Sequence, residues 1–528
     1  MQLNFLDKVR QYYAAHPLRT IVLVALAFRL LAVFFAKGYM MHDDHFLTVE
    51  PSASWAAGKN FNDWLPGIGN QREHPEPISF FYLGFLYVFF RVMHWIGIEN
   101  PDTQMYLMRA VHALYSLLTI YFAWKISLRI DSLKTAKSVA WLLAIIAIMP
   151  NFAVRNLVEF VCQPPLLAAF WLLISSHVFD RDTTAVNWKK LLLGSLIMGL
   201  AVGFRYQLVL VSFGVGLVLL WYRHIKQAIA FGLVAFLGFF LTQIDDIILW
   251  GGQPFQHLFG YFEYNKTHAL NYPGSPWAYL SFIGIFILPP VSLMLLSGFV
   301  RSWRKLLFIV LPASVFILFH LFYPNKQERF LLPVLPLFVI AGVAGWYRIQ
   351  QESVFWMNRA RLVKTMVGIF LFVNLSAMMV LCFTYSKSSR VEAMLYLYNR
   401  GDCDNFIREY SHADGAAMPP QFYAANWSSY YEFGARVDPE GIVRHMDKIE
   451  EENRGSVHER PLPDYLLFYD DTRLEDRLNG MKKYFQLEYC TTIEPGWFDR
   501  LLHNLNDKNT LERVHIYKIH HTPKTFLP

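Results

Sequence analysis

Apolar runs long enough to cross a bilayer recur through most of this 528-residue chain. A helical span needs roughly 20 predominantly apolar residues. Segments of that kind lie near 19–36, 105–125, 136–150, 157–179, 191–204, 207–222, 227–249, 277–299, 305–322, 330–347 and 363–385. Inside lipid no water can satisfy backbone amides and carbonyls, so runs of this length commit to helix. Charged residues make up only 17% of the chain and hydrophobic ones 54%, against about 25% charged in soluble domains. The expectation is an all-α polytopic membrane protein with about eleven transmembrane helices.

The loops give the orientation. The leader 1–18, "KISLRIDSLKTAK" (125–137), "DRDTTAVNWKK", "WYRHIKQ", "RSWRK" and "YRIQQESVFWMNRARLVK" carry the basic residues. They fall on one side when the apolar stretch 77–97 lies along the membrane surface instead of crossing it, and the positive-inside bias makes that side cytoplasmic. Arg91, His94 and Trp95 suit an interfacial position for this stretch. The leader is basic and amphipathic and lacks an A-x-A cleavage pattern. The net charge of +7 comes from these scattered loops, so it is a topological signal and nucleic acid is not an expected partner.

The opposite side collects a different chemistry. It holds "HDDHFLTVE" (42–50), "QREHPEP" (71–77), "PNFAVRNLVE" (150–159), "FRYQ" (204–207), "TQIDDIILWGGQPF" (242–255), "YFEYNKTHALNYPGSPW" (261–277) and "YPNKQERF" (323–330). Charges within spans cost at least about 2.5–3.5 kcal/mol, so charges gathered at helix ends commonly face a functional cavity. Asp43 and Asp44 admit three readings: a solvated loop edge or helix cap, a divalent metal site shared with His42 and His45, or a general base tuned by a like-charged neighbour. Strict sequence neighbours do not all point at one ion, so no metal is expected there. Arg155, Arg205, Lys266, Lys326 and Arg329 either snorkel and pair with acids such as Glu159 and Glu328, or together hold a phosphate. A base combined with a phosphate cradle suits transfer from a lipid-phosphate donor to a hydroxyl, with no further cofactor. No Walker or GxGxxG motif is present.

After residue 385 the pattern changes. "PDYLLFYDD" (463–471) alternates like a strand, "TRLEDRLNGMKKYF" (472–485) has helical spacing, and "QLEYCTTIEP" and "RVHIYKI" read as further strands. The division expected is a transmembrane catalytic domain over 1–385 and an extracytoplasmic α/β domain with a partly parallel sheet over 386–528. Of the four cysteines, Cys162 and Cys382 lie in apolar segments. Cys403 and Cys490 lie in the polar part, where an oxidising compartment would allow them to pair.

Five of these pieces, in order, resemble a known family. "HDDHFLTVE" is similar to the "PDEHFQxxE" signature of the mannosyltransferases that use dolichyl-phosphate mannose (glycosyltransferase family 22, the ALG- and GPI-type enzymes with the GT-C fold). "VRNLVE" (154–159) resembles its "SRTxxNxxE" segment, and "FR" at 204–205 a recurring loop pair. "IDDIILWGG" followed by "FEYNKTHALNYPGSPWAYL" resembles its "vDxxxYG…fN…yGxhpWhwY" stretch, and "NKQERFLLPVLPL" (325–337) its "HKExRFllPilPL" motif. His42 replaces a proline, Leu47 a glutamine and Asn325 a histidine, while "QREHPEP" looks more like the "KPP" loop of other GT-C enzymes.

The resemblance implies an inverting transfer of mannose from a polyprenyl or dolichyl phosphate to a glycan or glycolipid hydroxyl. It implies Asp43 as general base with Asp44 in support, and Arg205, Lys326, Arg329 and Arg155 around the donor phosphate. Glu50, His74, Asn265, Trp277 and Glu328 follow as substrate contacts. Other sugars and protein acceptors remain open within the GT-C fold, and a secondary transporter outside it. The expected location is a bacterial inner membrane with the site facing the periplasm, or an endoplasmic reticulum membrane with it facing the lumen.

Overall fold

The computed structural model describes residues 5–66, 76–180, 186–250, 253–271, 273–410, 418–427, 430–434, 439–453, 461–507, 509 and 511–520. Two compact units emerge: Met1–Ala36, His74–Tyr82 and Leu107–Phe383 form the first, and Lys37–Glu73, Leu83–Tyr106 and Thr384–Pro528 the second.

The first unit is helical, and most of each apolar segment named above is helix, in one piece or two. Among the described residues, six helices are long and apolar enough to cross a membrane: Pro17–Phe35, Pro101–Ile130, Val158–Ser175, Ile225–Leu249, Glu328–Glu352 and Ala360–Cys382. Tyr206–Trp221, Val291–Arg301 and Leu307–Phe322 are shorter apolar helices. Two of the apolar segments are broken for identifiable reasons. The 277–299 run divides into Ala278–Phe286 and Val291–Arg301, because Pro289 and Pro290 remove amides and exclude the preceding residue from helical geometry. The 136–150 run divides at Ile146 into Leu133–Ile145 and Ile148–Phe152. Asn374 repairs that break: its Oδ1 accepts from the Ala147 amide at 2.9 Å and its Nδ2 donates to the Ile145 carbonyl at 2.6 Å. A broken helix at membrane depth persists only with such compensation.

Polarity is arranged inside out. Phe372 and Leu233 project outward, whereas Arg29, in the middle of the first candidate span, is fully buried. Its guanidinium donates to Ser116 Oγ at 2.8 Å and to the carbonyls of Ala25 and Leu143 at 3.3 and 3.5 Å, joining three helices. Small residues bring other helices into backbone contact, as is usual where lipid supplies no hydrophobic drive. A Cβ on Gly298 would collide with the Gly342 carbonyl, and one on Gly199 with that of Ala235. The central part of Glu328–Glu352 is almost wholly buried.

Among the described residues, the second unit contains seven short strands. β1 (Lys37–Gly38) pairs in parallel with β2 (Tyr385–Ser386). β3 (Phe406–Tyr410), β4 (Tyr431–Gly434), β5 (Tyr465–Phe468), β6 (Gln486–Ile493) and β7 (Val514–His520) form one sheet in the order β4-β3-β5-β7-β6. β3 is parallel to β4 and β5, and β7 is antiparallel to β5 and β6. Parallel neighbours require crossovers, and helix Pro439–Asn453 supplies the one between β4 and β5. Val443 and Met446 from that helix and Met481 from Leu474–Met481 pack with Ile407, Leu466 and Phe468 of the sheet. The sheet is partly parallel as the sequence suggests. Strand β3, strand β4 and helix Trp497–Leu505 are additions to that reading. Cys403 and Cys490 are both free thiols.

Candidate active site

The acidic motif belongs to the second unit. After β1 the chain turns, with the amides of His45 and Phe46 bonding back to the His42 carbonyl at 3.3 and 2.9 Å. Asp44 is buried, and its two carboxylate oxygens accept from the Met40 and Met41 amides at 3.2 and 3.3 Å. Its backbone carbonyl accepts from Thr48 Oγ1 at 2.9 Å. Asp44 therefore shapes the turn, and Asp43 beside it is only partly buried. The histidines divide in the same way. His42 is exposed and stacks on Phe46 at 4.7 Å between ring centroids. His45 is buried between the rings of Tyr39 and Tyr423, stacked at 5.1 and 5.6 Å.

Glu50 completes this arrangement. It is 1% exposed, and its Oε1 meets His45 Nε2 at 2.9 Å and accepts from the Phe422 amide at 3.0 Å. Phe422 lies on Gln421–Ala424, within the crossover between β3 and β4. The acidic turn is thus fastened to the sheet by a buried carboxylate–imidazole pair.

The cations belong to the first unit, and three of the sequence motifs meet there. Glu159 starts the short helix Val158–Val161 and is 1% exposed. Arg205 leaves the end of Trp188–Phe204 in extended geometry (φ −145°, ψ 105°). Its Nη1 lies 3.0 Å from Glu159 Oε1, and Arg329 Nε lies 3.6 Å from the same oxygen. Arg329 also donates to Gln327 Oε1 from Nε and Nη2, at 2.9 and 2.7 Å. Both guanidinium groups sit near the Phe330 ring, 5.3 and 5.9 Å from its centroid, within cation–π range. Two arginines thus share one carboxylate oxygen. Arg205 Nε and Nη2 are buried with no hydrogen-bond partner among the described residues.

Lys326 has a different employment. Its ammonium donates to the carbonyls of His320 and Leu321 at 3.0 and 3.1 Å and to that of Tyr323, closing the end of helix Leu307–Phe322. Burial holds its pKa below the ordinary lysine value. The "PGSPW" loop (273–277) reaches the same place: Pro273 bridges Asn325, and a Cβ on Gly274 would press on the Lys326 side chain.

The remaining sequence candidates are dispersed. Arg155 is buried in the turn before Glu159. Asn265 Nδ2 donates to the Tyr261 carbonyl one helical turn back, at 2.8 Å. Trp277 and Glu328 are exposed, and Lys266 is exposed and paired with Glu263 at 3.5 Å. His74 lies outside the described residues. Sequence reasoning gave Glu159 only as a pairing partner, although the acid ending "VRNLVE" was the available signal. It did not single out His257, which has no partner in its own motif.

The chain shares its fold with solved membrane glycosyltransferases of the GT-C class. ArnT from Cupriavidus metallidurans in the apo state has a TM-score of 0.59 at 12% identity, covering 96% of this chain and 98% of that one. The same enzyme bound to undecaprenyl phosphate gives 0.57 at 13%, over 94% and 97%. The apo oligosaccharyltransferase of Archaeoglobus fulgidus gives 0.51 at 10%, over 91% and 73%. At these identities the likeness is one of fold. No curated protein sequence matches the chain. The family model of the Alg9-like mannosyltransferases matches residues 20–412. The chain belongs to the Alg9-like mannosyltransferase family and is a multi-pass membrane glycosyltransferase.

Proposed function

We propose that this enzyme transfers mannose, with inversion, from a polyprenyl phosphate to a hydroxyl of a glycan or glycolipid on the non-cytoplasmic side of its membrane. The observation that carries the reading is the pair Arg205 and Arg329 around Glu159, with buried Arg205 donors unused. Two guanidinium groups against one carboxylate leave a net positive charge that a phosphate oxygen would complement, by charge-assisted hydrogen bonds. The family membership supports mannose, and the undecaprenyl phosphate bound by ArnT supports a lipid-phosphate donor.

In this scheme the partly buried Asp43 takes the proton of the acceptor hydroxyl. The acceptor oxygen bonds to C1 of the sugar as the C1–O bond to phosphate breaks, and the electron pair leaves with the polyprenyl phosphate. Arg205 and Arg329 stabilise the charge that develops on the leaving phosphate. Asp44 holds the turn that presents Asp43, and Lys326 closes the end of helix Leu307–Phe322. The test is transfer by purified enzyme from synthetic short-chain polyprenyl-phosphate mannose, with the glucose and aminoarabinose donors as comparators and EDTA as a control. Consumption of the mannose donor with release of polyprenyl phosphate is expected. An enzyme that neither consumes nor binds that donor rules the reading out.

A further inference from the structure

The first unit holds a second group of ligating side chains, which the transfer reaction does not use. Asp245 and Asp246 lie on Ile244–Trp250, and His257 lies on Gln256–Thr267. One ligand atom from each falls within 4.8 Å of the others. His257 Nδ1 stands against Asp246 Oδ1 and 3.6 Å from Asp245 Oδ2, and the His257 amide donates to Asp246 Oδ1 at 3.4 Å. Asp246 and His257 are 0% and 1% exposed. The Phe80 ring, 4.2 Å from the imidazole centroid, fixes its orientation.

Charge and hydrogen bonding are both incomplete here. Among the described residues, the ion-pair partner of both carboxylates is His257 alone. Two carboxylates therefore share one imidazole, a crowding of acidic groups that a cation relieves. The second oxygen of Asp246 and His257 Nε2 are also buried without a hydrogen-bond partner. A simple Asp–His clamp leaves the crowded acids and the bare Oδ2 in place. A divalent cation between the three side chains relieves the first, and bidentate ligation by Asp246 removes the second.

We propose that Asp245, Asp246 and His257 bind one divalent transition-metal cation, with zinc the best match. Mixed imidazole and carboxylate ligands suit zinc, whereas calcium and magnesium take all-oxygen sites. Metal ligands bind in their deprotonated form, so uptake weakens as pH falls. The role is structural: the cation ties Ile244–Trp250 to Gln256–Thr267, the helix whose Asn265 carbonyl accepts from Tyr323 at 2.7 Å.

The test reads metal rather than transfer activity, so its outcome is independent of the proposed reaction. Full-length enzyme is purified in detergent without chelator from zinc-supplemented cells, and its metal content is measured. The stripped protein is then titrated with zinc and with cobalt, following thermal melting and visible absorption. About one equivalent of zinc per chain is expected, with a melting temperature that falls on stripping and recovers on titration. Asp246→Asn and His257→Ala should lose the metal. Should either fail to fold, the less buried Asp245→Asn decides, with affinity at least about tenfold weaker. Wild-type protein that holds no metal and takes none up overturns the proposal, as does metal content equal in wild type and a folded variant.

Discussion

Asp44 commits both carboxylate oxygens to backbone amides, while Asp43, one position earlier, remains partly buried. Substituting them should separate chemistry from architecture. Asp43→Asn is expected to cut transfer by about 100-fold or more, the usual scale for a lost general base, with the melting temperature unchanged. Asp44→Asn should lower stability by about 1–2 kcal/mol, because an amide replaces a charged acceptor of two amides. Steady-state kinetics together with thermal melting distinguishes the two. Arg205→Gln is expected to raise the donor KM by roughly 10- to 100-fold, the equivalent of one charge-assisted hydrogen bond, with the acceptor KM little changed. The residue types were legible in the sequence, because two acids after an apolar run and arginines at helix ends are costly unless used. Their partners were not. Nothing in "HDDH" reveals that one aspartate closes a turn, or that His45 reaches forward to Glu50. Those pairings depend on backbone turns that a linear pattern does not encode.

At the scale of elements, the helices were legible as apolar segments, and their interruptions less so. The Pro289-Pro290 break can be read directly. The break at Ile146 cannot, since its compensation comes from Asn374 on a helix far along the chain. Close helix pairs depend on glycines that a hydropathy profile passes over. Gly298→Val is expected to push Val291–Arg301 from Leu335–Glu352, where the Gly342 carbonyl occupies the space a side chain would need. Overpacking of this kind costs typically about 1–3 kcal/mol, and a lower melting temperature in detergent would register it. Strands β3 and β4 escaped the sequence reading because buried Arg408 and Glu409 interrupt the apolar pattern of β3, and β4 offers only four residues of alternation.

For the molecule as a whole, the second unit carries a pH dependence. Burial, opposed by the Arg477 guanidinium and reinforced by Asp470, pushes the Glu409 carboxyl up to about 7 from 4.5. The folded state therefore holds this proton more tightly than the unfolded chain does. The resulting stability is fully present below about pH 4.5 and is lost as pH rises through about 7. Glu409→Gln should flatten the decline in melting temperature between those limits, and an unchanged slope would assign it to other groups. A further consequence concerns the order in which the chain is made. β1 pairs with β2, and Glu50 binds the Phe422 amide across 372 residues of sequence. The acidic turn is synthesised well before the residues that fasten it. Closing a loop that long adds little entropy per residue, but it delays the contact. Until residues 385–422 have been translated and folded, the turn that carries Asp43 and Asp44 lacks both of these fastenings.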